Sequence, residues 1–245
     1  MKAMILAAGL GSRLQPVTNN IPKALVDVGG KTMLERTIRH LKQYGFDELI
    51  INLHHFPDKI KNYLEEHHHF DANITFSEEK SALLDTGGGL KHASWFFNED
   101  FPFLIHNVDV LSDLNLKKVY EHHLNQDALA TLVVQERSTS RYLLFDPQNR
   151  LCGWENTKKG RKVVIRESKT MKKLAFSGIH MANPALFEYM PSANVFSIMD
   201  VYLKATEKEN IVAYQDRESH WFDIGNLENL EKARKFISDS RQNNH

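Results

Sequence analysis

Short apolar runs alternate with amphipathic stretches through the first half of the chain. Residues Lys2–Ala7, Glu48–Leu53, Ile74–Ser77, Phe101–Asn107 and Ala128–Gln135 read as strands. The first and fourth are almost continuously apolar, the pattern of a strand covered on both faces. Between the strands, apolar residues recur at helical spacing over Met33–Tyr44, Lys59–His67, Gly88–Phe97 and Leu116–Asn125. This βαβ alternation predicts an α/β fold with a mostly parallel sheet and right-handed crossovers. In such sheets ligands gather beyond the carboxyl ends of the strands, so the loops that follow the strands are where chemistry is expected.

The second half is less regular. Tyr142–Asp146, Arg150–Glu155, Lys162–Arg166 and Ala175–Met181 are short stretches separated by turn residues such as Asp146-Pro147 and Lys159-Gly160. They predict a small, mostly antiparallel lid. Pro184–Met190, Ile198–Glu209 and Leu227–Ser238 have helical spacing, and the tail from Arg241 to His245 is expected to fray.

With 245 residues and 42% hydrophobic content, the chain can bury one substantial core. One domain is expected over residues 1–240, in two halves, about 1–135 and about 136–240. Thirty-one basic side chains balance thirty-one acidic ones, so no long-range positive field gathers nucleic acid or an anionic membrane. An anion must be held locally. The single cysteine, Cys152, cannot form an internal disulfide, and a reducing, cytoplasmic setting is the default. The apolar run at the amino terminus is too short to span a membrane and reads as a buried strand.

Gly9 and Gly11, directly after that strand, let the backbone bend and bring its amides close to an anion. Two familiar phosphate motifs do not fit. The dinucleotide fingerprint needs a third glycine where Leu14 stands, and a Walker loop ending in Gly30-Lys31-Thr32 needs a glycine where Leu25 stands. Arg13 and Lys23 remain as two cations bracketing a turn-rich stretch. Leu6-Ala7-Ala8-Gly9-Leu10-Gly11-Ser12-Arg13-Leu14, followed by Pro22-Lys23-Ala24-Leu25, closely resembles the signature of the sugar-1-phosphate nucleotidyltransferases, or sugar-nucleotide pyrophosphorylases. The resemblance implies a three-layer, Rossmann-like (GT-A-like) nucleotidyltransferase fold. It also implies that Leu6, Ala8, Gly9, Gly11, Ser12 and Arg13 hold the triphosphate, while Lys23 touches the phosphates at the reacting centre.

Phe103-Leu104-Ile105-His106-Asn107-Val108-Asp109 ends an apolar strand in a carboxylate at the ligand-binding edge. Nucleotidyl transfer calls for a hard divalent cation, and magnesium takes one or two carboxylates together with phosphate oxygens and water. Trp221-Phe222-Asp223-Ile224-Gly225 resembles the family's late W-x-D-[IV]-G motif. That likeness implies Asp109 and Asp223 as ligands of Mg²⁺, with Arg13, Lys23 and Asp109 as catalytic residues. The family usually has glycine before the first aspartate, whereas this chain has Val108.

Leu83-Leu84-Asp85-Thr86-Gly87-Gly88-Gly89-Leu90 puts three glycines at a predicted helix entry, where bare amides could meet a base edge. The resemblance gives Gly87 and Gly88 to the nucleobase, and Glu78 is a weaker candidate for the same pocket. Ala175-Phe176-Ser177-Gly178-Ile179-His180 resembles the family's sugar segment. Asn107, Gly178 and Glu167 are thereby implied in sugar binding, with Glu155 and Lys169 as looser candidates. The histidine clusters 54–55, 67–69 and 122–123 lack the spacing of a metal motif. Nucleoside triphosphate and sugar 1-phosphate are the implied partners. Within the family, the compact form and these segments most resemble the branch that joins UTP to N-acetylmuramate 1-phosphate. A guanylyltransferase for mannose or heptose 1-phosphate, a phosphocholine cytidylyltransferase and a non-catalytic regulatory homologue are the alternatives.

Overall fold

The computed structural model describes residues 1–242, which fall into two compact units interleaved along the chain. The first comprises Met1–Leu83, His106–Leu114 and the chain from His220; the second comprises Leu84–Ile105 and Asn115–Ser219.

The first unit is built on three parallel strands, β1 (Lys2–Leu6), β2 (Glu48–Leu53) and β3 (Asn73–Glu78), in the order β3-β2-β1. Ala3, Met4, Ile5, Leu49, Ile50 and Ile51 are fully buried, so both faces of β1 and β2 are covered, as their unbroken apolar character predicts. The crossovers are α1 (Met33–Gln43) and α2 (Pro57–Glu66). Thr32 caps α1 by accepting the Glu35 amide at 3.1 Å, and Met33, Leu34, Ile38 and Leu41 turn inward. The Walker-like tripeptide 30–32 is therefore a helix entry. Pro57 opens α2, where its missing N–H costs nothing.

In the second unit lie α3 (Asp85–His92), α4 (Leu116–Asn125) and α5 (Ile198–Ala205), a 3-10 turn at Pro184–Tyr189 and a mixed sheet. Strand β4 (Phe103–Asn107) begins there and ends in the first unit, where β5 (Val110–Ser112) follows. The sheet comprises β6 (Ala130–Gln135), β7 (Arg141–Phe145), β8 (Leu151–Asn156), β9 (Arg161–Val164), β10 (Lys172–Ala182) and β11 (Ile211–Gln215). Antiparallel pairing joins β6 to β10 and runs on from β10 through β7, β8 and β9, the four strands whose antiparallel character the sequence predicts. By contrast, β11 lies parallel to β6.

Two elements return to the first unit: β12 (Trp221–Asp223), antiparallel to β5, and α6 (Leu227–Gln242). Strands β5, β11 and β12 are absent from the sequence-based prediction. At three residues, β5 and β12 are too short to show alternation. The five residues of β11 follow a helix that ends at Ala205, before the predicted Glu209, and the Thr206 hydroxyl donates back to the Tyr202 carbonyl at 2.7 Å. Of the tail expected to fray, Arg241 and Gln242 continue α6, and residues 243–245 lie outside the described ones. Among the described residues, no helix is long and apolar enough to cross a membrane.

Candidate active site

Strand β1 ends at Leu6 and the chain turns through Ala7 and Ala8, both buried, into exposed Gly9 and Leu10. Gly11 has φ +67°, and a Cβ there would stand 3.0 Å from Thr18 Cγ2 and 3.1 Å from Lys23 Cβ. Only glycine closes this turn without strain. The Thr18 hydroxyl locks it by donating to the Gly11 carbonyl at 2.8 Å, and Leu14, fully buried, anchors the 3-10 turn Ser12–Leu14 that carries Ser12 and Arg13 outward. Gly9 differs: a Cβ there would meet nothing within 4 Å. The fold does not itself need glycine at that position.

Lys23 opens a second 3-10 turn, Lys23–Leu25, pinned by buried Ala24. Its ammonium pairs with the Oδ2 of Asp109. Lys23 is 11% exposed and Asp109 24%, so the pair is shielded from bulk water without being sealed from it.

Asp109 follows Val108, which takes the place of the family's glycine. Val108 is buried, and its amide donates to the Leu6 carbonyl at 3.1 Å, tying this turn to the end of β1. Across the β5–β12 ribbon Asp223 is paired with Val110, and the Ile224 amide donates to the Asp109 carbonyl at 2.8 Å. The two aspartates thus occupy adjoining rungs of neighbouring strands. Gly225 shows what shares the space: a Cβ there would lie 2.8 Å from Asp223 Oδ1 and 3.0 Å from Arg13 Nη2. Arg13, Lys23, Asp109 and Asp223 therefore converge beside the glycine loop, two cations against two carboxylates.

Among the described residues, no three His, Cys, Asp or Glu side chains gather as a complete metal cage. The donor set is two carboxylates with hard oxygen atoms, which fits magnesium, an ion that keeps water and phosphate oxygens in its remaining positions. It does not fit zinc, which favours nitrogen and sulfur ligands in a closed set. Asn107, half-buried at the end of β4, belongs to the same unit, and its carbonyl accepts from His106 Nδ1 at 2.8 Å. Burial pushes the His106 pKa down to about 4.

The remaining predicted site residues lie in the second unit. Gly87 and Gly88 fall within α3 and not before it, and their amides both donate to the Phe196 carbonyl, at 3.0 and 3.1 Å. A Cβ on Gly87 would stand 2.5 Å from the Phe196 ring, and one on Gly88 would stand 2.0 Å from the Asn194 carbonyl oxygen. The fold itself accounts for these two glycines, and their amides are not bare. Gly178, at φ +76°, sits where the pairing of β10 with β6 shifts register. Glu167 is exposed, Glu155 pairs with Lys173 at 2.7 Å, and Glu78 turns outward to an ion pair with Lys61. His123 is spent on Thr131 and Asn183.

Sequence reasoning missed two residues beside the loop. Asn52 and Glu79 are each 3% exposed, and Asn52 Oδ1 accepts the Ala7 amide at 2.7 Å. A polar side chain near the end of the apolar run Leu49–Leu53 was the available signal.

The profile of the nucleotidyl transferase family matches residues 2–240. The N-acetylmuramate alpha-1-phosphate uridylyltransferase of Neisseria meningitidis is 30% identical over 95% of this chain and 96% of its own length. The mannose-1-phosphate guanyltransferase of Yarrowia lipolytica is 27% identical over 92% of this chain, which spans 61% of that longer protein. In structure, the UDP-glucose pyrophosphorylase of Acinetobacter baumanii superposes with a TM-score of 0.78 at 18% identity, over 95% of this chain and 91% of its own. The fold is thus the Rossmann-like α/β fold of the nucleotidyltransferases, and the chain belongs to the nucleotidyl transferase family.

Proposed function

We propose that the protein transfers a nucleoside monophosphate from UTP to a sugar 1-phosphate, with N-acetylmuramate 1-phosphate as the leading acceptor, and does so with Mg²⁺. The observation that carries this reading is the convergence of Arg13, Lys23, Asp109 and Asp223 beside a glycine loop whose Gly9 faces open space. The choice of uridine and acetylmuramate rests on likeness to the Neisseria enzyme along nearly the full length of both chains.

An oxygen of the sugar 1-phosphate attacks the α-phosphorus. A P–O bond forms there as the bond from the α-phosphorus to the bridging oxygen breaks, and pyrophosphate leaves with the electron pair. The attacking oxygen is already anionic at neutral pH, so no protein nucleophile or general base is needed. The chain's own work is positioning and charge neutralisation. The loop amides from Ala8 to Ser12 and the Arg13 guanidinium grip the triphosphate, and Lys23 meets the charge that builds at the α-phosphate. When held by Asp109 and Asp223, magnesium supplies further positive charge to the same phosphates. Asn107, Gly178 and Glu167 are assigned to the sugar, and Gly87 and Gly88 to the nucleobase, on resemblance alone. The amides of Gly87 and Gly88 are occupied by the Phe196 carbonyl and both residues are buried, so the nucleobase assignment draws no support from their geometry.

The test is pyrophosphate release from each of the four ribonucleoside triphosphates with a panel of sugar 1-phosphates, with and without Mg²⁺. Release with UTP and N-acetylmuramate 1-phosphate, abolished by chelation, is expected. Release with GTP and mannose 1-phosphate alone would favour the guanylyltransferase reading, to which the Yarrowia relative points. No release with any pair would leave a non-catalytic homologue.

A further inference from the structure

We infer that Asn52 and Glu79 are positioning residues for the triphosphate loop, acting through the Ala7 amide. Ala7 is the last buried residue but one before Gly9, and β1 has already left the ladder: Leu6 and Asn52 are the final paired residues of β1 and β2. The next amide, that of Ala7, has no strand carbonyl to reach. Instead it donates to the Asn52 side chain at 2.7 Å. The other end of that amide group is fixed in turn, because Asn52 Nδ2 donates to Glu79 Oε1 at 2.7 Å. Glu79 is held by its main chain on both sides: its amide donates to the Leu53 carbonyl at 2.8 Å, and its carbonyl accepts from His54 Nδ1 at 2.7 Å.

The placement is costly if its only purpose is to end a strand. A carboxylate buried to 3% exposure carries a desolvation penalty that an apolar residue would avoid. The neighbouring glutamate, Glu78, takes the ordinary course and faces a surface lysine. Turning Glu79 inward fixes which end of the Asn52 amide points at Ala7, and a hydrogen-bonded buried chain of this kind holds its members more tightly than any one contact would. The stretch it holds leads directly into Gly9 and Gly11. A loop that must aim several amides at phosphate oxygens loses affinity when its root is free to rotate.

The inference rests on the proposed nucleotidyl transfer, and polarity reversal tests it. N52D keeps an oxygen for Ala7 but faces Glu79 with a second carboxylate. N52D/E79Q restores one donor and one acceptor with the bond reversed, and E79Q alone keeps the acceptor. Steady-state kinetics at pH 8, with UTP and the best sugar 1-phosphate, separates positioning from a structural role. For N52D, the KM for UTP is expected to rise at least about tenfold while the KM for the sugar phosphate stays within about twofold. N52D/E79Q and E79Q are expected to return to within about threefold of wild type. A purely structural role would lower kcat with both KM values unchanged, and that result overturns the inference, as does failure of the double variant to recover. If N52D does not fold by thermal melting, E79A carries the same expectation and the same refutation. Wild-type protein that transfers no nucleotide with any pair would overturn the nucleotidyl-transfer reading itself.

Discussion

The Ile224 amide donates a 2.8 Å hydrogen bond to the Asp109 carbonyl. That bond continues the ribbon in which Asp223 faces Val110, so the main chains of the two candidate metal ligands lie on adjoining rungs. Positioning here comes from main-chain pairing, so the two aspartates stay in register whatever their side chains hold. Asp109→Asn and Asp223→Asn are therefore expected to fold like wild type and to lose at least about a hundredfold in kcat/KM, with activity that no longer responds to Mg²⁺ up to saturation. Circular dichroism and pyrophosphate release read the two halves of that expectation.

Lys23 pairs with Asp109 where both are largely shielded from water, so removing the lysine leaves the Asp109 carboxylate without its partner. Lys23→Ala should therefore cost some stability, about 1–3 kcal/mol, while leaving the protein folded. Its kcat should fall by roughly 10²- to 10³-fold, the usual cost of removing one preorganised charge from the reacting centre. Near-normal turnover would remove Lys23 from the mechanism.

The two loop glycines should separate under substitution. Gly9→Ala adds a methyl group to open space, so melting should be unchanged while the KM for UTP rises. Gly11→Ala forces a side chain to φ +67° against Thr18 and Lys23, and should cost about 1–2 kcal/mol of stability before any substrate is added. Thermal melting of the two variants, side by side, checks the contrast.

Gly88→Ala should destabilise for a different reason. The new Cβ would stand 2.0 Å from the Asn194 carbonyl oxygen, a main-chain atom that cannot swing aside. A loss of about 2–3 kcal/mol in urea unfolding is expected. Were stability unchanged, the close packing of α3 on residues 194–198 would be refuted.

Buried histidines should make the fold sensitive to acid. Burial holds His106 neutral with its pKa near 4, against 6.5 when unfolded, and burial lowers His40 and His123 as well. Between about pH 6.5 and 4 the unfolded chain binds protons that the native protein does not, so stability falls as pH falls through that window and is fully present above it. His106 alone contributes about 3 kcal/mol to this loss. Urea midpoints should drop between pH 7 and pH 5, and His106→Gln should flatten the slope.

How far the sequence foretold this picture depends on what each feature needs. Glu48–Leu53 and Leu116–Asn125 are found at their predicted bounds, because each is long enough for its apolar period to show. The glycine loop, Arg13 and Lys23 were legible because they are contiguous or nearly so. The adjacency of Asp109 and Asp223 was suggested only by resemblance, since three-residue strands carry no period and their pairing is set by tertiary register. At Gly87 and Gly88 the sequence shows a missing side chain but not what fills the gap; the filler, residues 194–198, is far along the chain. Asn52 showed only as a polar break in the apolar run Leu49–Leu53, and its pairing with Glu79 was not legible, because burial of a polar pair is a property of the folded sheet.

Label transfer from [α-³²P]UTP tests the central claim most directly. With N-acetylmuramate 1-phosphate and Mg²⁺, the label should pass into a uridine diphosphate sugar in step with unlabelled pyrophosphate, and Lys23→Ala should slow both by roughly 10²- to 10³-fold. Label recovered only as UMP, or pyrophosphate released without a nucleotide sugar, would contradict the account.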